Sequence, residues 1–132
     1  MPDPNQRKST ILIYSPDLNF CFSLSMLFQD RYSVITTTNP GMLEPFVTHY
    51  SADLLIVDAV PSHKMIERLK DLKGLNTRLP IIMLYVYSPK DVDLDRLVRS
   101  RVDSVFYKPF DISDIANRIR ELLKDDASIP NT

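Results

Sequence analysis

Glycine and cysteine are scarce in this 132-residue chain, which has two glycines against ten prolines. With only Gly41 and Gly74, neither the GxGxxG pattern of dinucleotide sites nor the GxxxxGK[ST] phosphate loop can be present. The one cysteine, Cys21, excludes an internal disulfide, and no His/Cys cluster has the spacing of a metal site. These absences exclude glycine-rich phosphate-binding loops, and they also exclude a small domain stabilised by disulfides.

Basic excess and long apolar runs are also missing. The formal net charge is -1, with 16 Lys+Arg against 17 Asp+Glu, so we expect no nucleic-acid binding by this domain. No run approaches about 18 apolar residues, which predicts no membrane span. The polar start MPDPNQRKST lacks a signal-peptide core and, with the lone cysteine, predicts a cytoplasmic protein. We expect a single domain at 10–124, flanked by a disordered segment at 1–9 and a polar tail or linker stub at 125–132.

Five short apolar runs rich in β-branched and aromatic residues alternate with helical patterns. Three of them, ILIY, LLIV and IIMLYV, are apolar throughout, as in central parallel strands covered on both faces. This alternation predicts an α/β fold, a (βα)5 three-layer sandwich whose ligand crevice lies at the carboxyl ends of the central strands. The predicted strands span residues 11–14, 32–36, 54–57, 81–86 and 102–106.

Local signals predict where the helices begin. Asp17 is the expected N-cap of the first helix. The second, around residues 39–50, should be short or irregular because Pro45 lies within it. The other three helices are predicted to begin near Pro61, after Ser88, and after Asp111 or Ser113.

The first predicted helix carries apolar side chains on two sides. The residues expected to face the sheet are Phe20, Leu24, Leu27 and Phe28. The residues on the opposite side are Leu18, Phe22 and Met26. Such an outward apolar stripe predicts a docking or dimer surface, and the alternative is that the N-terminal segment covers it.

Polar residues follow the ends of the third and fifth runs. The segment DLLIVD ends in Asp58, and YKPFD contains Lys108 and Pro109. These segments resemble the receiver (response regulator) domain of two-component signalling, over about residues 10–124. The resemblance implies a flavodoxin-like parallel sheet of order 2-1-3-4-5, with Asp58 at the phosphoacceptor position and Lys108 as its charge partner. It also implies a cis peptide bond before Pro109, no enzymatic activity, and protein partners such as a histidine kinase, an output domain or another signalling protein.

Four positions depart from the family pattern. The family holds Mg²⁺ with an acidic pair after the first strand and with the phosphoacceptor, because Mg²⁺ prefers carboxylate oxygens. Here Ser15 and Pro16 stand at the pair, which leaves Asp58 as the metal-binding carboxylate of at most a weak site. The two switch positions, usually Ser/Thr and an aromatic, hold Tyr85 and Val105 instead. Weakly bound Mg²⁺ is thus the one cofactor that the resemblance implies.

We therefore expect an atypical receiver-type module in phosphorelay signal transduction that acts through protein–protein interaction, with weak or no Mg²⁺-dependent phosphorylation. The alternative is a conventional phosphoacceptor receiver in which Asp58 works with a makeshift cation site. Five aromatic residues lie in or near the fourth and fifth predicted βα units: Tyr85, Tyr87, Phe106, Tyr107 and Phe110. They suggest a second partner surface, and the alternative is that about half of them pack under the fourth helix. A homodimer would form through this face or through Leu18, Phe22 and Met26.

Overall fold

The computed structural model describes residues 7–124. Most of the two predicted terminal segments, residues 1–6 and 125–132, therefore lies outside the described residues. At the start of the described part, the Arg7 guanidinium lies 3.2 Å from the Asp53 carboxylate. Among the helices of this part, none is both long enough and apolar enough to cross a membrane.

Five parallel strands form one sheet in the order β2-β1-β3-β4-β5. This order and the alternation with helices confirm the predicted flavodoxin-like (βα)5 fold. All residues of the three central strands β1, β3 and β4 are buried, which is why their sequences are apolar without alternation. The strands are β1 (Thr10–Tyr14), β2 (Ser33–Thr37), β3 (Leu54–Asp58), β4 (Ile81–Tyr85) and β5 (Ser104–Tyr107).

Five α-helices connect or follow the strands: α1 (Leu18–Phe28), α2 (Leu43–His49), α3 (His63–Leu75), α4 (Val92–Arg99) and α5 (Ile112–Leu123). Short 3₁₀ turns at Pro40–Met42 and Pro89–Asp91 precede α2 and α4. Each turn begins with proline, which has no N–H to leave unsatisfied at a helix start. The second helical segment is short and irregular, as the sequence predicts.

Side-chain caps fix three of the helix starts. The Asp17 carboxylate accepts hydrogen bonds from the backbone N–H groups of Asn19 and Phe20, which confirms its predicted role. Asp111 accepts from the Ser113 N–H at α5. The α3 helix begins two residues after Pro61, with Ser62 as its cap. Each cap satisfies a backbone donor that the helix cannot pair internally and is typically worth about 1 kcal/mol.

The helices cover both faces of the sheet and create two apolar cores. On one face, α1 and α5 pack their buried residues against the strands, among them Leu24, Ile115 and Ile119. On the other, α2, α3 and α4 do so, among others through Leu69 and Val98. Full burial of an aliphatic side chain of this size contributes roughly 1.5–3 kcal/mol, so these two layers supply the main drive for folding.

One prediction about α1 is wrong, because Leu27 does not face the sheet and is 58% exposed. The buried residues of α1 are Cys21, Leu24 and Phe28. At about 100° per residue, these three define an arc of the helix that excludes Leu27. The small Cys21 side chain, which the sequence does not mark as a core residue, is buried instead, so the buried arc is displaced away from Leu27.

Strand register brings polar chemistry to one edge of the sheet. Asp58 is opposite Leu84 in β4, and Tyr85 is opposite Tyr107 in β5. Because all five strands are parallel, the residues that follow them meet at the same carboxyl edge. The predicted crevice therefore has the ends of β1, β3, β4 and β5 around it.

Two aspartates make matching contacts with backbone groups at the opposite, amino edge of the sheet. Asp53 donates its N–H to the Thr10 carbonyl (2.8 Å) and accepts the Thr10 N–H on its carboxylate (2.7 Å). Asp103 makes the same pair with Ile81, at 2.9 and 2.7 Å. Each aspartate thus satisfies the first backbone donor and acceptor of a neighbouring central strand, and we call these two contacts the aspartate clips. The Lys73 ammonium lies 3.2 Å from the Asp103 carboxylate.

We predict that Asp103→Ala lowers the free energy of unfolding by about 1–2 kcal/mol, because the partly buried Ile81 N–H loses its acceptor. Asp103→Asn keeps an acceptor oxygen but removes the charge that Lys73 contacts, so it should retain most of the stability. Urea unfolding followed by circular dichroism measures both. Equal losses in the two variants would contradict the hydrogen-bond explanation and assign the effect to the ion pair.

Candidate functional site

Asp58 is the last residue of β3, and its carboxylate lies at the carboxyl edge of the sheet. Its side chain is only 10% exposed, and a buried carboxylate is costly unless hydrogen-bond donors or cations contact it. Two side chains that directly follow other strands provide them, one for each oxygen. The site is built around this buried acid.

Lys108 is the first partner, with its Nζ 2.5 Å from Asp58 Oδ1. It directly follows β5, and its backbone N–H donates to the Tyr85 carbonyl at 2.9 Å. The peptide bond between Lys108 and Pro109 is cis. The ammonium also lies 5.0 Å from the centre of the Phe20 ring, a cation–π contact that shields one side of the ion pair.

Ser15 is the second partner, and it directly follows β1. Its hydroxyl donates to Asp58 Oδ2 at 2.7 Å and accepts the Asp17 N–H at 3.0 Å. Its own N–H donates to the Thr37 carbonyl at 3.2 Å, and the residue is fully buried. The hydroxyl is therefore fixed in place by contacts on both sides.

These contacts give each Asp58 oxygen a donor from within the chain. Pro16, at the other predicted acidic-pair position, is exposed and offers no side-chain oxygen. The Asp17 carboxylate is used as the α1 cap. Between residues 7 and 124, no three His, Cys, Asp or Glu side chains are grouped so that they could hold a metal ion. Asp58 is the one carboxylate at the predicted metal-binding positions.

Tyr85, at the first predicted switch position, is directed to α4 rather than to Asp58. Its hydroxyl donates to Asp95 Oδ1 at 2.6 Å, and the residue is 3% exposed. Burial, reinforced by this hydrogen bond, raises the pKa of Tyr85 well above its ordinary value. Val105, at the second switch position, is partly buried and packs against the core on the α4 side.

Asp95 joins Tyr85 to two further residues. The Tyr107 hydroxyl donates to Asp95 Oδ1 at 2.7 Å, and Arg99 Nη2 donates to the Tyr107 oxygen at 2.6 Å. Arg99 Nε also lies 3.3 Å from Asp95 Oδ2. Burial alone would raise the pKa of Asp95, but the two tyrosine hydrogen bonds and the guanidinium outweigh it and hold the pKa below its ordinary 3.8. We call Tyr85, Asp95, Arg99 and Tyr107 the α4 network.

The α4 network was not predicted from the sequence, although two signals point to it. Asp95 and Arg99 are four residues apart, so they lie on one face of a helix. The two tyrosines end adjacent strands in register, with ring centres 5.6 Å apart. These signals pair the two tyrosines with each other and Asp95 with Arg99, but they do not show that this face of α4 meets the two tyrosines.

The aromatic residues of the fourth and fifth units do not form one surface. Tyr85 and Tyr107 pack on the α4 side of the sheet, and the Tyr87 ring centre lies 5.3 Å from that of Tyr107. Phe106 and Phe110 belong to the opposite core, beside α1 and α5. Successive residues of a strand point to opposite faces, so Phe106 and Tyr107 cannot share one surface. Prediction of a single aromatic surface from these five residues is therefore wrong.

Comparison with known proteins supports the fold. No protein-family model and no curated protein matches the chain. Many solved structures do match, including a CheY-like response regulator receiver domain protein from Methanospirillum hungatei JF-1, which is 19% identical (TM-score 0.78, 92% of this chain, 98% of that chain). A two-component response regulator from Clostridium difficile is 18% identical (TM-score 0.75, 89% and 98%). A receiver-modulated diguanylate cyclase from Pelobacter carbinolicus is 25% identical (TM-score 0.72, 91% and 96%). These similarities confirm the CheY-like fold.

We predict that Asp95→Asn lowers the free energy of unfolding at pH 7 by about 1–2 kcal/mol, because the charge-assisted bonds to Tyr85, Tyr107 and Arg99 weaken. The folded-state pKa of Asp95 lies below its ordinary value, so its contribution is fully present above about pH 4 to 5. It is lost as the pH falls through the folded pKa. Urea unfolding at several pH values should show the difference from wild type shrinking below pH 3.8.

The matched control is Asp93→Asn on the same helix. Asp93 lies 3.4 Å from Arg96, but its side chain is 97% exposed, so the substitution should change stability little at any pH. A pH-independent difference between wild type and Asp95→Asn would contradict a role of the Asp95 charge.

Proposed function

We propose that this chain is a receiver-type module of phosphorelay signalling that acts through protein–protein contacts, with Asp58 phosphorylated weakly or not at all. The observation that carries the proposal is the closed environment of Asp58. Lys108 and Ser15 bind its two oxygens at 2.5 and 2.7 Å, so the carboxylate is neutralised within the chain. A module of this kind conveys its signal by binding and catalyses no reaction of its own.

Metal chemistry supports this proposal. A phosphoryl group that arrives at a carboxylate adds negative charge, and cations must neutralise it. Mg²⁺ requires near-octahedral oxygen coordination and favours carboxylates, whereas Ser15 is a neutral donor already bound to Asp58 and Pro16 has no side-chain oxygen. The residues present do not fit a Mg²⁺ site. Lys108 is then the one cationic side chain in contact with Asp58 among the described residues.

The α4 network supports it as well. The hydroxyl at the end of β4 belongs to Tyr85 and is bonded to Asp95 on α4. It is therefore committed to holding α4 and is unavailable to a phosphoryl group on Asp58. The partners expected of such a module are a histidine kinase, an output domain or another signalling protein.

A conventional phosphoacceptor is the second candidate function. It is favoured by the position of Asp58 at the carboxyl edge with a lysine ammonium beside it. Nucleophilic attack by this carboxylate would require Lys108 and a makeshift cation site to take up the added charge. The two candidates differ in a directly measurable product.

Incubation with a small-molecule phosphodonor and Mg²⁺ should leave most of the protein unmodified when intact mass is measured. Lys108 alone would have to neutralise the incoming phosphoryl oxygens, because the residues present do not fit a Mg²⁺ site, so the adduct should be substoichiometric. Asp58→Ala is the control for attachment elsewhere. A stoichiometric phosphoryl adduct on wild type that is absent from Asp58→Ala would establish the conventional receiver instead.

Restoring acids at the two substituted positions should create Mg²⁺ binding. Ser15→Asp combined with Pro16→Asp would place two more carboxylates near Asp58, and their mutual repulsion should lower stability until Mg²⁺ binds. We expect Mg²⁺ to raise the melting temperature of this variant but to leave wild type nearly unchanged. Titration calorimetry should show at least about a tenfold gain in Mg²⁺ affinity, or about 1.4 kcal/mol.

The control is Ser15→Asn combined with Pro16→Asn, which introduces side chains of similar size without charge. It should destabilise the site without gaining a response to Mg²⁺. If wild type binds Mg²⁺ as tightly as the doubly acidic variant, the lost acidic pair is not what limits the site.

A further inference from the structure

We propose that the outward face of α1 is a self-association surface, whose occupant is a second copy of this chain. The proposal goes beyond the receiver function and does not depend on whether Asp58 is phosphorylated. It rests on three exposed apolar side chains on one row of α1, which we call the α1 patch: Leu18, Phe22 and Met26. They are between 55% and 69% exposed.

The α1 patch is concentrated in a way that the rest of the described surface is not. Apart from Leu27 on another side of α1, the other large exposed apolar residues of the described chain lie at four places: Tyr50, Val60, Leu75, and the segment with Val86, Tyr87 and Val92. Only α1 among the five helices has no Asp, Glu, Lys or Arg within its bounds. A contiguous apolar patch of this kind on a soluble domain marks an interaction surface.

The spacing of the patch favours a second copy over an unrelated partner. Leu18, Phe22 and Met26 are four residues apart along one row of the helix, and the row is symmetric about Phe22. An isologous contact places the same surface on both sides of a two-fold axis. An axis that passes beside Phe22 would pair the two Phe22 rings and set each Leu18 against Met26 of the other copy, with the helices antiparallel.

The charges around the patch agree with this arrangement. A residue near a two-fold axis lies opposite the same residue of the other copy, so a charged side chain there would be repelled by an identical charge. The exposed residues beside the row, Asn19 and Ser23, are neutral. Antiparallel helices also place opposite ends of their dipoles side by side. A partner recognised by charge would find no charged side chain on α1 to bind.

The area is that of a weak, concentration-dependent dimer. Three exposed side chains of this size present on the order of 300 Å² of apolar surface per copy. A stable interface buries roughly 800 Å² per partner, and the neutral residues beside the patch would supply much of the remainder. We therefore expect dissociation within the micromolar range rather than a permanent dimer.

Sedimentation equilibrium between about 1 µM and 1 mM tests the proposal. The average mass of wild type should rise with concentration from 15.2 kDa towards twice that value. Phe22→Lys should hold it at 15.2 kDa throughout, with an unchanged urea midpoint, because Phe22 is exposed and the fold does not need it. Val60→Lys is the control, since Val60 is 80% exposed but lies outside α1. It should associate as wild type does.

Charge pairs test the antiparallel arrangement. Leu18→Lys and Met26→Glu should each abolish association alone, whereas a mixture of the two variants should form a heterodimer. Its new lysine and glutamate would then face each other, and its second Leu18–Met26 pair would be intact.

Three results would overturn the proposal. They are a wild type that stays monomeric at all concentrations, a Phe22→Lys variant that associates as wild type does, and a Val60→Lys variant that loses association as Phe22→Lys does. Failure of the mixture to associate would overturn the two-fold geometry. Phosphorylation of Asp58 does not enter any of these measurements.

Discussion

A parallel sheet buried on both faces leaves no place for charge except its two edges, and this constraint organises the whole molecule. The fifteen residues of β1, β3 and β4 are all buried, and the one acidic or basic residue among them, Asp58, stands at the end of its strand. At the carboxyl edge, Asp58 gains Lys108 and Ser15 as partners. At the amino edge, Asp53 and Asp103 bind backbone groups. The same residue type is thus part of a candidate site at one edge and of a structural contact at the other.

The carboxyl edge has two separate polar systems, which lie on different parts of the fold. Asp58 is tied to β1 and β5 through Ser15 and Lys108, whereas Tyr85 is tied to α4 through Asp95. Among the described residues, the Tyr85 hydroxyl donates to Asp95 and not to the Asp58 carboxylate. The position of α4 therefore depends on the α4 network and on its own buried residues. This separation agrees with a module whose binding surface does not need a chemical event at Asp58.

Sequence reasoning predicted the fold because the relevant signals are local. Continuous apolar runs define the central strands, Asp17 lies next to the helix that it caps, and Pro40 and Pro89 begin helical turns. The contacts that sequence reasoning missed join distant segments. Ser15 and Asp58 are 43 residues apart, and Tyr107 and Asp95 are 12 apart. Such pairs depend on side-chain rotamers and on how a helix lies over the sheet, and neither can be derived from spacing along the chain.

The aspartate clips have a consequence for how the sheet avoids misassembly. In strands such as LLIVD and IIMLY, a shift by one residue would replace one apolar side chain by another, so burial discriminates poorly between alignments. Each clip binds the N–H and the carbonyl of a single residue, Thr10 or Ile81. A shifted strand would leave the partly buried backbone N–H of Thr10 or Ile81 without its carboxylate acceptor, at a cost of about 1–3 kcal/mol. Polar groups at the edge of the sheet thereby supply the alignment specificity that its uniform apolar interior lacks.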